Sequence, residues 1–225
     1  MASRFGIVVA VLAFLTACVA AAQPRLAAPG EVVIYLHPSL KDADFVEGLV
    51  CELGRVLVAP VRATTVDLPL TRDLLATASQ FDAAKVNHLF ARATDGDSGR
   101  PFRYLILPFD LKVPGLNYVF ANTPADGGTS AVMSIIRLAP TETGLSRKRV
   151  SDITGDRLYK LMLKSVAVIA GLRTGGCIMS FPRSLEELDV KPAEFCPDDR
   201  AALVNAGVLK ARPFGACNTV AMAGR

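Results

Sequence analysis

Lys164 and Ser165 stand side by side in the apolar stretch 158–171. An amine next to a hydroxyl is the pair that a Ser-Lys hydrolase uses. On a helix, however, neighbouring side chains point about 100° apart and do not face each other, so the two residues read as ordinary helix positions. His37 and His88 are the only histidines. Both lie in the first half of the chain, away from that stretch, and read as satisfied surface histidines rather than as metal ligands. Four of the five cysteines, Cys51, Cys177, Cys196 and Cys217, follow the N-terminal region; in an oxidising compartment they allow two disulfides and three connectivities, which the sequence leaves open. There is no phosphate-cradling glycine loop and no dinucleotide fingerprint.

The charge pattern excludes a further class. A net charge of +4 on 225 residues, without Trp and with four Tyr, is too small and too evenly spread for a nucleic-acid binder, and offers little for base stacking. The one basic run, Arg147-Lys148-Arg149, follows a polar stretch and reads as a solvated loop.

The elements that must position these residues alternate in type. The chain is 51% apolar and 20% charged, enough for one packed domain, and it excludes global disorder. Fourteen prolines and seventeen glycines without a period fit short elements joined by loops and exclude collagen-like or low-complexity architecture. Strands are expected at 32–36, at 56–58 with Val61, and at 104–107, 118–120 and 131–138. Helices are expected at 45–53, 82–91, 156–171 and 199–208, with a polar loop at 95–99 and a loop-like tail from Ala211. The 156–171 helix has almost no polar face and a glycine at its end, so it should be central and buried. The class is therefore α/β or α+β, a single domain over 32–225 after a Pro, Gly and Ala tether at 23–31.

The mean hydropathy of +0.36 is raised by the first two dozen residues. Arg4, an apolar run from Phe5 to Phe14, and the small residues up to Ala22 have the layout of a secretory signal at 1–22. Within it, Leu15-Thr16-Ala17-Cys18 resembles a bacterial lipobox, which implies lipidation at Cys18 and anchoring to a membrane by acyl chains. The alternative is cleavage after Ala20-Ala21-Ala22, releasing a soluble secreted protein. The expected location is periplasmic or on the outer membrane.

The second half carries an ordered set of motifs. Asp110 is followed by Pro114-Gly115-Leu116-Asn117-Tyr118-Val119-Phe120 and then by Ser134-Ile135-Ile136-Arg137-Leu138. Arg157 and Lys160 precede Gly171-Leu172, and Cys177-Ile178-Met179, Ser184-Leu185, Asp189, Lys191 and Phe195-Cys196 follow in order. Over about a hundred residues this series resembles the archaemetzincin family of zinc metallopeptidases. The resemblance implies a metzincin-like fold, with a small mixed sheet and a central active-site helix.

The family's zinc signature is H-E-x-x-H-x-x-G-x-x-H, in which two histidines one turn apart face the metal and the glutamate is the general base. With Gly171 as its glycine, the signature places Lys164 at the first histidine, Ser165 at the glutamate, Val168 at the second histidine and Thr174 at the third. A lysine ammonium has no lone pair, and removing its proton at pH 7 costs about 4 to 5 kcal/mol. Val168 has no donor atom, and the loss of a general base alone removes about a hundredfold to ten-thousandfold in rate.

The same resemblance implies that the family's four-cysteine structural zinc is incomplete, with Gly175 and Asp199 where cysteines are expected. Cys177 and Cys196 would then form a disulfide and leave Cys51 and Cys217 as a second pair. Met179 matches the methionine turn beneath the metal, and Asn117, Tyr118, Val119 and Phe120 match a peptide-binding edge strand.

The resulting expectation is an exported, catalytically inactive metallopeptidase homologue that binds a peptide or protein in the cell envelope. It would need no cofactor, whereas active family members use zinc. The alternatives are an active zinc peptidase with an unrecognised metal site and a structural lipoprotein without a ligand. If Lys164 lies where zinc should be, its charge should be held by Glu186, Glu187 or Asp189, because an unpaired buried ammonium is costly.

Overall fold

Three consecutive-looking apolar runs become the middle of one sheet. The computed structural model describes residues 26–95, 101–124, 128–173 and 175–217; the signal segment with Leu15 and Cys18, residues 96–99 of the expected 95–99 loop, and Thr174 lie outside them. Strands β1 (Val32–Leu36), β2 (Val61–Thr65), β4 (Phe102–Leu107), β6 (Ala121–Asn122) and β7 (Ser130–Ser134) form a sheet in the order β2-β1-β4-β7-β6. The first four are parallel, and β6 closes the edge antiparallel to β7. Every residue of β1, β4 and β7 is buried. That is why these strands read as continuous apolar runs rather than alternating ones, as expected when both faces of a sheet are covered. A separate parallel pair joins β3 (Gln80–Asp82) to β5 (Asp110–Lys112).

The period-two alternation of the strands divides the core. Val32, Ile34 and Leu36 of β1, Tyr104 and Ile106 of β4 and Met133 of β7 face α1 (Phe45–Val56) and α3 (Arg147–Ala170), meeting Leu49, Leu53, Leu158, Met162 and Val166. Val33, Tyr35, Leu105, Leu107 and Val132 face the other way, onto α2 (Ala83–Ala93) and the β3–β5 pair, meeting Val86, Phe90 and Leu111. The chain is thus a mixed α/β domain with helices on both faces of the sheet. Two short helices, α4 (Leu185–Val190) and α5 (Pro197–Asn205), follow α3.

Helix α3 is the element on which the site depends. Ser146 caps its start by accepting the Arg149 backbone N–H at 3.2 Å. Its end is set by Gly171 at φ 111°, a left-handed position suited to glycine, while the Leu172 N–H returns to the Ala167 carbonyl at 2.9 Å. This is the Schellman arrangement. Twelve of its residues are buried, most of them between Leu158 and Ala170, so the expected central position holds.

Several expected boundaries move. The Arg147-Lys148-Arg149 run is the first turn of α3 rather than a loop, with Arg147 bonded to Asp44 at 2.7 Å and Lys148 to Asp152, one turn on, at 2.7 Å. Residues 56–58 are not a strand: α1 runs through Val56, and Leu57 makes only an isolated bridge to Leu209. The C-terminal segment binds there instead, by Lys210 N–H to Val56 O at 2.8 Å and Val58 N–H to Val208 O at 3.1 Å. β7 ends at Ser134, and 135–138 turn back under a Leu138 N–H bond to Ile135 O. Helix α5 starts earlier than expected because Pro197 fits its first position.

Candidate functional site

The inner end of α3, the turn after it and the segment after β5 meet at one place. Cys177–Met179 forms one 3-10 turn, with Met179 buried and the Ile178 N–H bonded to Glu194 O at 3.0 Å. A disulfide joins Cys177 to Cys196 and holds this turn to the start of α5. Cys177 sits at φ 48°, a conformation that costs a non-glycine residue about 1 to 3 kcal/mol and persists only where surroundings impose it. A side chain at Gly176 would meet the Cys196 sulfur at 3.0 Å, so the residue there must be small. The second disulfide, Cys51 to Cys217, ties α1 to the C-terminal segment.

Lys164 reaches from α3 onto this turn. Its Nζ donates to the Ser180 carbonyl at 3.1 Å and lies 5.4 Å from the centre of the Phe181 ring, which is 62% exposed. Lys191, just past α4 and 5% exposed, donates to the same Ser180 oxygen at 2.8 Å. The two nitrogens are therefore within about 6 Å, where like charges repel by about 3 kcal/mol at an effective dielectric near 20. Burial lowers the ammonium pKa of Lys164. Burial, with the charges of Lys164 and Lys160, pulls Lys191 down to about 8.

The carboxylates expected to hold Lys164 do not. Asp189 forms a fork with Arg157, at 2.6 Å from both Nε and Nη2, and Arg157 also donates to Leu138 O at 2.6 Å. A 5% exposed guanidinium needs that partner more than a half-buried ammonium does. Glu187 accepts the Arg183 backbone N–H at 2.7 Å, and Glu186 is held below its usual pKa by Ser184 at the start of α4. Lys160 is satisfied by Asp156 at 3.0 Å and by the carbonyls of Leu188 and Asp189.

Ser165 points the other way. It is 2% exposed, and its hydroxyl bonds to that of Thr123 at 2.6 Å. That bond fastens the 117–123 segment to α3. Within the segment, residues 118–120 are not a regular strand: Val119 makes a single bridge to Leu111, and the strand proper is β6 at Ala121–Asn122. The reason is Pro114-Gly115, where Gly115 at φ 82° turns the chain before it can run extended. Asn117 is exposed, and its carbonyl accepts from Gln80 at 2.8 Å. The Tyr118 hydroxyl donates to Arg183 O at 3.4 Å, its ring lies 5.3 Å from that of Phe120, and Arg137 stacks on it at 4.3 Å.

Arg137 is in turn forked onto Asp110, with bonds of 2.8 and 2.6 Å. Burial opposes ionisation of Asp110, but hydrogen bonds from Arg137 and Gln80 outweigh it and hold the carboxyl below its usual range.

The structure thus brings Lys164 and Tyr118 onto the 180–183 stretch that follows Met179, while Ser165 faces Thr123 instead. Val168 is half-buried one turn along α3 from Lys164. His37 is bonded to Ser39 at 2.9 Å and packs on Phe109, and His88 is exposed on α2. Among the described residues, no three His, Cys, Asp or Glu side chains gather in a way that fits a metal ion. Ser180, Thr123, Arg183 and the role of Lys191 were not legible in the sequence, because each acts through a backbone carbonyl or a hydroxyl at long sequence separation.

No family model matches the chain. An archaemetzincin of Archaeoglobus fulgidus is 25% identical over 167 residues, covering 72% of this chain and 93% of the relative. One of Halobacterium salinarum is 32% identical over 122 residues, covering 52% of this chain and 68% of the relative. Among solved structures, a zinc-dependent peptidase of Methanocorpusculum labreanum superposes with a TM-score of 0.62 at 22% identity, over 76% of this chain and 99% of that one, and shows the same fold. On the identity and coverage of these relatives, the chain belongs to the archaemetzincin family.

Proposed function

We propose that this chain is an archaemetzincin-family member without a catalytic zinc, which binds a peptide or protein segment in the cell envelope along residues 117–122. The observation that carries the reading is Lys164, whose ammonium lies on the Ser180 carbonyl; with Gly171 taken as the glycine of the family signature, that position belongs to an imidazole. The residues present do not fit zinc. Lys164 has three donors and no acceptor, and Val168 is aliphatic. Ser165 is buried against Thr123 and offers no carboxylate. Two histidines in the whole chain do not make three ligands, and Cys177 and Cys196 are joined to each other instead of to a metal. We therefore derive no hydrolytic step.

Binding does not need the metal. A peptide laid along a sheet edge gains main-chain hydrogen bonds and places alternate side chains in pockets. β6 occupies the edge of the five-stranded sheet, and the Asp110–Arg137–Tyr118 stack and the Thr123–Ser165 bond brace the segment around it. The N-terminal sequence supports export with lipid on Cys18, and two disulfides agree with an oxidising compartment.

The test uses an N-acetylated peptide library incubated with the full chain, with and without a chelator. The reading expects binding, no cleavage, and at least tenfold weaker binding by Asn117→Arg, which alters an exposed residue. Chelator-sensitive cleavage would establish the relatives' peptidase activity here instead. Absence of any binding would leave a structural lipoprotein.

A further inference from the structure

The turn at Met179 carries more positive charge than its surroundings answer. Lys164 and Lys191 share one neutral carbonyl, that of Ser180, and among the described residues neither ammonium has a carboxylate partner. The acidic groups nearby are engaged elsewhere, Asp189 with Arg157, Asp156 with Lys160, and Glu187 with the Arg183 N–H. An ammonium has three donors, and the shared oxygen accepts one from each lysine. Positive charge held inside a protein without a counter-ion is costly.

We infer that Lys164 and Lys191 form a receptor for a carboxylate, supplied either by the C-terminus of a bound peptide or by a small free carboxylate. The inference deepens the peptide-binding reading and, for the first source, rests on it. Two ammonium groups within about 6 Å, each with donors left after its bond to Ser180 O, can each donate to one oxygen of a single carboxylate. The exposed Phe181 ring beside Lys164 supplies an apolar face for the group attached to it. Tyr118, bonded to Arg183 O, ties the 117–122 segment to the stretch two residues beyond Phe181. A phosphate dianion is a poorer occupant. Its second negative charge meets the Ser180 carbonyl, whose negative end points at the two ammonium groups.

The experiment is calorimetric titration of the full chain with four probes: a library of N-acetylated tripeptides with free C-termini, the same library as C-terminal amides, sodium acetate and sodium phosphate. The expected result is at least tenfold tighter binding of the acids than of the amides in the wild-type protein, with that ratio abolished by Lys164→Gln. The wild-type comparison stands whether or not the variant folds. Acetate binding as tightly as the acid library would sustain the receptor, assign it to small carboxylates and end the peptide reading. Equal binding of acids and amides would overturn the receptor and leave the peptide reading intact. Phosphate binding more tightly than acetate would overturn the carboxylate assignment, and no binding by any probe would overturn both.

Discussion

Lys164 and Lys191, on α3 and just past α4, donate to a single acceptor, the carbonyl oxygen of Ser180, at 3.1 and 2.8 Å. Two positive charges so placed weaken the fold in their protonated state. This gives the turn a pH dependence of unusual sign for an amine.

Lys191 titrates at about 8 in the folded chain, against about 10.4 when unfolded. Between those values the unfolded state binds more protons, so stability rises with pH. The penalty is fully present below pH 8 and disappears as pH approaches 10.5. Lys191→Met should therefore be more stable than wild type at pH 7, by roughly 2 to 4 kcal/mol from the size of the shift. Ser180 O keeps its bond to Lys164 in that variant. Urea unfolding of both proteins from pH 7 to 10 should show the gap closing; a gap that stays constant would contradict the cost assigned to burying the Lys191 charge beside Lys164 and Lys160.

The Arg157–Asp189 fork should behave in the opposite way. Arg157 holds the Asp189 carboxyl below the usual carboxylate range, so its contribution is complete above about pH 4 and is lost as pH falls through the lowered pKa. Asp189→Asn should cost about 2 kcal/mol at pH 7, less than a fully buried pair because the Asp189 side chain is 44% exposed. Thermal melts should show this difference shrink in strong acid.

Both disulfides should be found by peptide mapping under non-reducing conditions as Cys177–Cys196 and Cys51–Cys217. The first closes a span of 19 residues and should contribute about 3 kcal/mol on a chain-entropy basis. Cys177→Ser with Cys196→Ser should lower the urea midpoint accordingly and release the strained Cys177 backbone. An unchanged midpoint would mean that the turn is held by its other contacts.

Cys18→Ser should abolish lipid attachment. Metabolic labelling with palmitate and membrane fractionation should show the wild-type chain acylated and sedimenting with membranes and the variant soluble. A wild-type protein that is soluble and begins at Gln23 would assign the alternative cleavage.

How much of this was legible beforehand depended on the range of the interaction. The sheet strands 32–36 and 104–107, buried on both faces, and α3 with its Gly171 stop were readable because local apolar runs and a terminal glycine encode them. Residues 56–58 were misread because their apolar side chains serve a bridge to Leu209, more than 150 residues away, which no local pattern reports. β3 and β5 are three residues each, too short for a period. At the site, the motif order singled out Lys164, Ser165 and Met179. The partner of Lys164 was misassigned to an acidic side chain because charge pairing was the only local rule to apply; Arg157, more deeply buried, takes Asp189.

The metal content of the full chain tests the central claim most directly. Protein produced in zinc-supplemented medium, desalted and measured by elemental mass spectrometry, should hold far less than one zinc per chain, and added zinc should not raise its melting temperature. A stoichiometry near one, removed by a chelator with loss of stability, would contradict the account.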